Sequence, residues 1–203
     1  MNKTTHLALL LSIALLSACA STRAPDAALY DFGPLKTVPA NASPLAPVSI
    51  AEPRTPAWLD GAQMIYRLAY ANGQQASSYA NSRWAMPPAQ LFVERLKSRI
   101  AQTGGTVLPA SDGALNVPVL RIEMSDFSQS FDAPNHSTVQ ISVRASLFQG
   151  RNLIGQKNFF KQVDAPGADA PAGAKALADG SDVLIGGMIA WLATLPSSPQ
   201  AAK

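Results

Sequence analysis

WLDGAQMIYRLAYANGQQASSYANSRWAMPPAQLFVERLKSRI, residues 58–100, holds the clearest passage from strand to helix in the chain. Met64, Tyr66, Leu68 and Tyr70 alternate with Ile65, Arg67 and Ala69, the period of two expected of a strand over Met64 to Tyr70. The polar run ANGQQASS (71–78) reads as a hairpin-type loop, and Tyr79 to Ala85 as a second extended piece. Pro87 and Pro88 then preset φ for a first helical turn, where a missing N–H costs nothing, so a helix starts there. Phe92, Leu96 and Ile100 share one face of that helix with Leu91 beside them, while Glu94, Lys97 and Arg99 point elsewhere. Gly104-Gly105 stops it.

Outward from this stretch the pattern is mostly of strands. Leu29 to Gly33, Val48 to Ile50 and Thr106 to Leu108 are short extended pieces, and Pro34 to Pro47 is a proline-rich loop. Val117 to Phe127 sets Leu120, Ile122 and Met124 against Arg121, Glu123 and Ser125. Thr138 to Phe148 does the same with Val139, Ile141, Val143, Ala145 and Leu147. Such alternation buries one face only and belongs to antiparallel pairing. A turn at 149–152 returns the chain through Leu153 to Val163, whose Lys157 and Lys161 suit an edge strand. A last helix is expected from about Ala174 to Leu195, its apolar stretch too short for a membrane span. Gly186-Gly187 within it implies close approach of another backbone. The fold class that follows is α/β: a single domain, a mixed and mostly antiparallel sheet packed by two main helices on the same sheet. That domain covers 29–195, with a leader at 1–18, a tether at 19–28 and a tail at 196–203.

The leader has its own logic. Lys3 precedes an apolar run from Leu7 to Leu16, and small Ser17 and Ala18 lead to Cys19. LSAC is the lipobox pattern of bacterial lipoproteins: small side chains fit a signal peptidase, and the thiol just past the cut accepts diacylglycerol. Cys19 is the only cysteine, so no disulfide forms within the chain. Two or more acyl chains (a palmitate among them) there would anchor the protein, where one binds only marginally. Alanine rather than aspartate at position 20 favours the outer membrane of a Gram-negative envelope. Losing Lys3 lowers the formal charge of +3 by one unit, too mild a balance to argue for nucleic acid.

No catalytic constellation emerges. His6 leaves with the leader, and His136 sits in a turn composition, Asp132 to Ser137, where adjacent residues seldom converge on one reacting atom. One remaining histidine and no free thiol make no metal site, and neither glycine pair carries a phosphate-loop pattern. The sequence thus points to no enzyme, no metal and no cofactor. Its aromatic set invites a different reading. Trp58, Tyr66, Tyr70, Tyr79 and Trp84, with Arg67 and Arg83 beside them, either form a partner surface of the hot-spot composition or pack the core and seal its edge. We carry Trp58, Tyr66, Arg67, Arg83 and Trp84 forward as interface candidates, with Trp191 a weaker one.

YDFGPL, PAWLDGAQMIYRLAY and YANSRWAMPPAQLFVERLKSRI, in that order behind a lipobox, resemble the ABC-type transport auxiliary lipoproteins, the PqiC-like group. The resemblance is best from Leu29 to Ile100. It implies a domain similar to an anticodon-binding-like or TolB-N-terminal-like sandwich, without a catalytic motif. It also implies an outer-membrane lipoprotein facing the periplasm and working with an MCE-domain protein and an inner-membrane permease or PqiA-like protein in phospholipid transport. A homo-oligomeric ring belongs to the same expectation. The rival readings are an envelope scaffold or assembly lipoprotein unrelated to lipid transport, and a small envelope hydrolase built around His136.

Overall fold

Strand β6 (Val119–Ala133) is the element on which the others assemble. The computed structural model, which describes residues 26–37, 45–109 and 117–196, gives it partners on both edges. Along one edge β7 (His136–Gln149) runs antiparallel, from Val119 opposite Phe148 to Ala133 opposite His136. β8 (Asn152–Asp164) continues the sheet antiparallel to β7. The other edge of β6 is covered in pieces, all parallel to it: β2 (Val48–Ile50) at Val119 and Leu120, Arg54 at Glu123, then β3 (Gln63–Leu68) at Ser128 to Phe131. β5 (Val107–Pro109) adds to β2. β4 (Gly73–Trp84) pairs antiparallel with β3, and β1 (Ala28–Tyr30) lies parallel to β4 at the rim. The result is one eight-stranded mixed sheet whose long ladders are antiparallel.

Three helices complete it: α1 (Ala69–Asn72), a single turn between β3 and β4; α2 (Pro88–Gln102); and α3 (Ala170–Leu192). α2 and α3 touch each other and both pack on β6, as the sequence led us to expect of helices sharing a sheet. Beneath them lie Leu120, Ile122 and Met124 of β6 and Val139, Ile141 and Val143 of β7, met by Phe92, Leu96 and Ile100 of α2 and Ile185 and Met188 of α3. The register of β6 slips between Met124 and Asp126. A bulge there shifts the inward set to Phe127, Gln129 and Phe131, and so extends the strand past the point where simple alternation ends.

Local differences from the sequence reading have identifiable causes. β3 ends at Leu68 because α1 turns the chain, and the polar run from Gly73 is strand rather than loop. Its residues through Ala76 are exposed, so pairing with β3 and not burial makes it extended. α3 begins four residues early, since the Asp169 carboxylate caps it by accepting from the Ala172 N–H at 2.8 Å, with Pro171 in the first turn. Gly186 and Gly187 do not admit another backbone: a methyl group added to either would meet nothing within 4 Å.

Two polar clusters hold the helices in place. Gln129 is buried on β6 and accepts from the Tyr79 hydroxyl at 3.0 Å. Its amide donates to Ser137 Oγ at 2.8 Å and to the Asp169 carbonyl at 3.2 Å, while the Ser137 hydroxyl donates to the Gly167 carbonyl. One amide thus ties β4, β6, β7 and the start of α3, as a buried polar group needs. Burial, with the Asp169 carboxylate and Tyr66 adding to it, pushes the Tyr79 phenol up to about 12. Gly173 leaves the room: a Cβ there would stand 2.0 Å from Gln129 Oε1.

The second cluster involves Arg99, which points away from the Phe92, Leu96 and Ile100 face of α2 and is nevertheless buried. Arg95 and Arg99 of α2 face Asp182 of α3, with Nε to Oδ1 at 3.6 Å and Nη2 to Oδ2 at 3.3 Å. Arg95 also donates to the Phe32 and Gly33 carbonyls, and Arg99 to that of Lys36. Asp182 is the shared anion between two cations, so its removal leaves buried charge uncompensated. Asp182→Ala should cost about 3–5 kcal/mol, read as a shift in the urea midpoint. Gly173→Ala should cost about 1–3 kcal/mol by overpacking. Adding Gln129→Ala to it should cost less than the sum of the two single losses, because both act on one contact.

Candidate functional site

The candidate residues divide between the two faces of the sheet. Trp84 ends β4 pointing inward, 1% exposed, edge-on to Phe32 at 6.0 Å and to Phe127 at 5.5 Å. It is a core residue and presents nothing to a partner. Among the described residues its indole N–H has no hydrogen-bond acceptor, a desolvation cost offset by the aromatic packing around it. Tyr66 is half-buried on the same inner side, 4.7 Å from the Tyr79 ring and 6.0 Å from Phe131. Trp191 packs edge-on to Phe159 at 5.8 Å, which closes the end of the core near β8.

Trp58 and Arg67 come together on the opposite, open face. Trp58 lies in a 3₁₀ turn (Ala57–Leu59), 40% exposed, while its neighbour Leu59 is buried and pins the turn down. The Arg67 guanidinium sits 5.5 Å from the centroid of the Trp58 ring. Arg67 is pre-oriented by donating to the Gly73 and Gln74 carbonyls at 3.4 and 3.3 Å. Asp126, at the bulge of β6, faces the same patch and accepts from the Ser128 hydroxyl at 2.7 Å. Burial raises its carboxyl above the usual range, opposed by that hydroxyl and by the Arg67 charge. Tyr70, 49% exposed, stands just past the end of β3 in α1. Arg83 is exposed but lies elsewhere, on β4 opposite Leu29 of β1. Of the five candidates, the fold therefore joins Trp58 with Arg67, places Tyr66 and Trp84 inside and leaves Arg83 at the rim. Asp126 was missed because a lone carboxylate on a polar strand face carries no sequence signal, and only the bulge brings it to Arg67.

A hydrolase triad of Asp132, His136 and Ser137 does not assemble. His136 and Asp132 meet at the exposed tip of the β6–β7 hairpin, Nδ1 to Oδ1 2.6 Å. Ser137, next in the strand, points to the other face and is held in the Gln129 cluster. Strand alternation thus keeps Ser137 away from the imidazole. Among the described residues no group of three or more His, Cys, Asp and Glu side chains could hold a metal ion. No described helix is long and apolar enough to cross a membrane. The inner faces of β6 and β7 are filled by the helices rather than opened into a cavity. An apolar groove of about 270 Å³ lies beside the end of α3, lined by Leu45, Val48, Leu147, Leu192 and Leu195 among others.

The family model of the ABC-type transport auxiliary lipoprotein component matches residues 30–186, more than half of the sequence. The chain belongs to this family. A crystal structure of a Xanthomonas campestris protein assigned to DUF330 shares the fold at a TM-score of 0.70 and 15% identity, over 81% of this chain and 94% of that one. A second crystal structure, of an uncharacterised protein, gives 0.63 and 18% over 82% and 99%. No curated protein matches the sequence. This family member is therefore a lipoprotein auxiliary of transport, with the mixed α/β sheet and helix layer of its structural relatives. Cys19 and the leader lie outside the described residues.

The hairpin tip gives a pH prediction. The Asp132 carboxylate raises the His136 pKa above its ordinary 6.5, and the hydrogen bond from His136 lowers that of Asp132 below 3.8. A raised histidine contributes stability that is full below its unfolded pKa and lost as pH rises through the folded one. A lowered aspartate contributes stability present above its unfolded pKa and lost as pH falls through the folded one. The pair therefore acts in the mildly acidic window between the two. An NMR titration should find the His136 midpoint above 6.5, and Asp132→Asn should bring it down without changing the fold.

Proposed function

We propose that this lipoprotein is a non-enzymatic docking component of an MCE/ABC-type system that carries phospholipid between the two membranes of a Gram-negative envelope. Cys19 holds it by acyl chains on the periplasmic face of the outer membrane. The open sheet face around Trp58 and Arg67 receives the periplasmic MCE-domain chain, which in turn meets an inner-membrane permease or PqiA-like protein. The observation that carries the reading is the family match over residues 30–186. The geometry agrees with it: an exposed tryptophan stacked with a pre-oriented arginine is the composition of an interface hot spot. A covered inner face and a shallow groove suit a protein that holds other chains better than one that encloses cargo.

Photo-crosslinking from position 70, which leaves Trp58 and Arg67 in place, tests this in intact cells. The captured chain should be an MCE-domain protein, and recovery of only peptidoglycan or secretion components would overturn the proposal. Trp58→Ala with Arg67→Ala should weaken capture about tenfold or more while leaving the thermal midpoint nearly unchanged, since hot-spot truncations cost 2 kcal/mol or above. Cys19→Ser should release the protein from the membrane fraction.

A further inference from the structure

We propose that the free edge of β8 receives an extended acidic segment of a partner chain, which joins the sheet as an antiparallel strand against Lys157 and Lys161. This edge lies three strand positions from β3, roughly 14 Å across the sheet, so it is separate from the Trp58 surface and owes nothing to the anchor. Among the described residues β8 pairs only with β7. The Ala165 N–H donates to the Ser137 carbonyl at 2.9 Å, and this fixes the phase of the ladder. Odd-numbered residues of β8 bond to β7, while Gln156, Asn158, Phe160 and Gln162 turn their N–H and C=O groups away from it. The register is unbroken from Asp164 opposite Thr138 to Gly155 opposite Leu147, and the stretch holds no proline. Such an edge is a template for one more strand.

Charge selects the occupant. From Arg151 to Val163 the chain carries Arg151, Lys157 and Lys161 and no acid, and Asp164 ends the strand beyond them. Both lysines lie on the inner face beside α3. The Lys157 ammonium is 5.3 Å from the centroid of the buried Phe159 ring, and the Lys161 stem would stand 3.9 Å from a Cβ added at Gly180. The acids within α3 are committed elsewhere, Asp179 to Lys36 and Lys175, and Asp182 to Arg95 and Arg99. Among the described residues neither lysine has an ion-pair partner. A strand added here sets its side chains opposite Lys157 and Lys161 at the closer, non-hydrogen-bonded spacing, about 4.5 Å between Cα atoms. Acids spaced as the two lysines are would meet both, and an apolar residue beside one of them would cover Phe160, 61% exposed on the outer face. A second copy of β8 fits badly. Antiparallel pairing centred on Phe159 sets Lys157 of each copy against Lys161 of the other, like charges directly opposite. The lysines that keep copies apart therefore admit an acidic strand.

A fluorescein-labelled peptide of about ten residues with Glu-Val-Thr-Val-Glu at its centre, titrated against the full-length protein in detergent, tests this. Fluorescence anisotropy should show it binding about tenfold more tightly than a Gln-Val-Thr-Val-Gln peptide, with affinity falling as salt rises. Lys157→Glu with Lys161→Glu should lose the glutamate peptide and take up a Lys-Val-Thr-Val-Lys peptide in its place. The backbone bonds are probed on the peptide alone, with the protein unaltered. N-methylation of both valines, whose N–H groups face β8 in the antiparallel register, should abolish binding, whereas N-methylation of the threonine should leave it. Equal affinity for the glutamate and glutamine peptides, or no binding of either, would overturn the charge selection. Binding that survives methylation of the valines would overturn the strand. If sedimentation finds a dimer whose formation excludes the peptide, a second copy holds the edge and the proposal falls.

Discussion

The backbone of β6 is the constraint on which the rest depends. A strand of 15 residues covered on one face by two helices needs partners for its peptide groups along both edges. β7 meets the need on one side with a single long ladder. On the other side no single segment is long enough, and the chain lays three pieces end to end. Ser49 donates to the Pro118 carbonyl at 2.8 Å, Ala51 to Leu120 at 3.0 Å and Arg54 to Ile122 at 2.9 Å, before β3 takes over. Pro53 and Pro56 interrupt this composite edge, and Arg54 between them still closes a bridge by accepting from the Met124 N–H at 2.9 Å. Proline breaks the ladder only where its missing donor is not required.

What was legible in the sequence follows from the same physics. The helix after Pro87-Pro88 and the strands around Ile122 and Ile141 announce themselves, because a one-sided apolar pattern is the direct imprint of a sheet covered on one face. β4 was half-hidden, since its early residues are small, polar and exposed, and a strand held by pairing alone leaves no periodicity. The bulge at Asp126 is invisible for a related reason: a one-residue slip resembles the end of a strand until the partner ladder is seen. The burial of Arg95 and Arg99 leaves no local pattern, because burial of an arginine depends on an anion from another helix, here Asp182, more than eighty positions away. The candidate site was legible as composition but not as arrangement. An aromatic cluster in sequence is divided by the pleat of the sheet, which sends Trp84 inward and leaves Trp58 with Arg67 outside.

Division of labour between the faces is the structural basis for reading this lipoprotein as a docking component. The inner face is committed: its aliphatic residues meet the helices, and its one amide is saturated by Tyr79, Ser137 and the Asp169 carbonyl. The outer face carries polar side chains with local pairings such as Arg144 with Glu123 at 3.3 Å, which exposed groups form and exchange at little cost. A partner that displaces them gives up little, and it gains most where an apolar ring is already exposed and held still, as at Trp58.

The buried arginines acquire a further meaning when the chain is considered as something pulled from one end. A load applied at the N-terminal end of the domain would enter through its first fixed residues, here β1 and the segment after it. Three residues of parallel pairing with β4 are a weak grip. Behind them the Phe32, Gly33 and Lys36 carbonyls are held by Arg95 and Arg99, and Phe32 itself is wedged against Trp84 and Phe127. Charge-assisted bonds to main-chain carbonyls do not depend on which side chains the segment carries. Tension applied there would therefore pass the short strand and arrive at the contact of α2 with α3. In this arrangement the two guanidinium groups buried on one carboxylate also fix the segment after β1 to the helix layer.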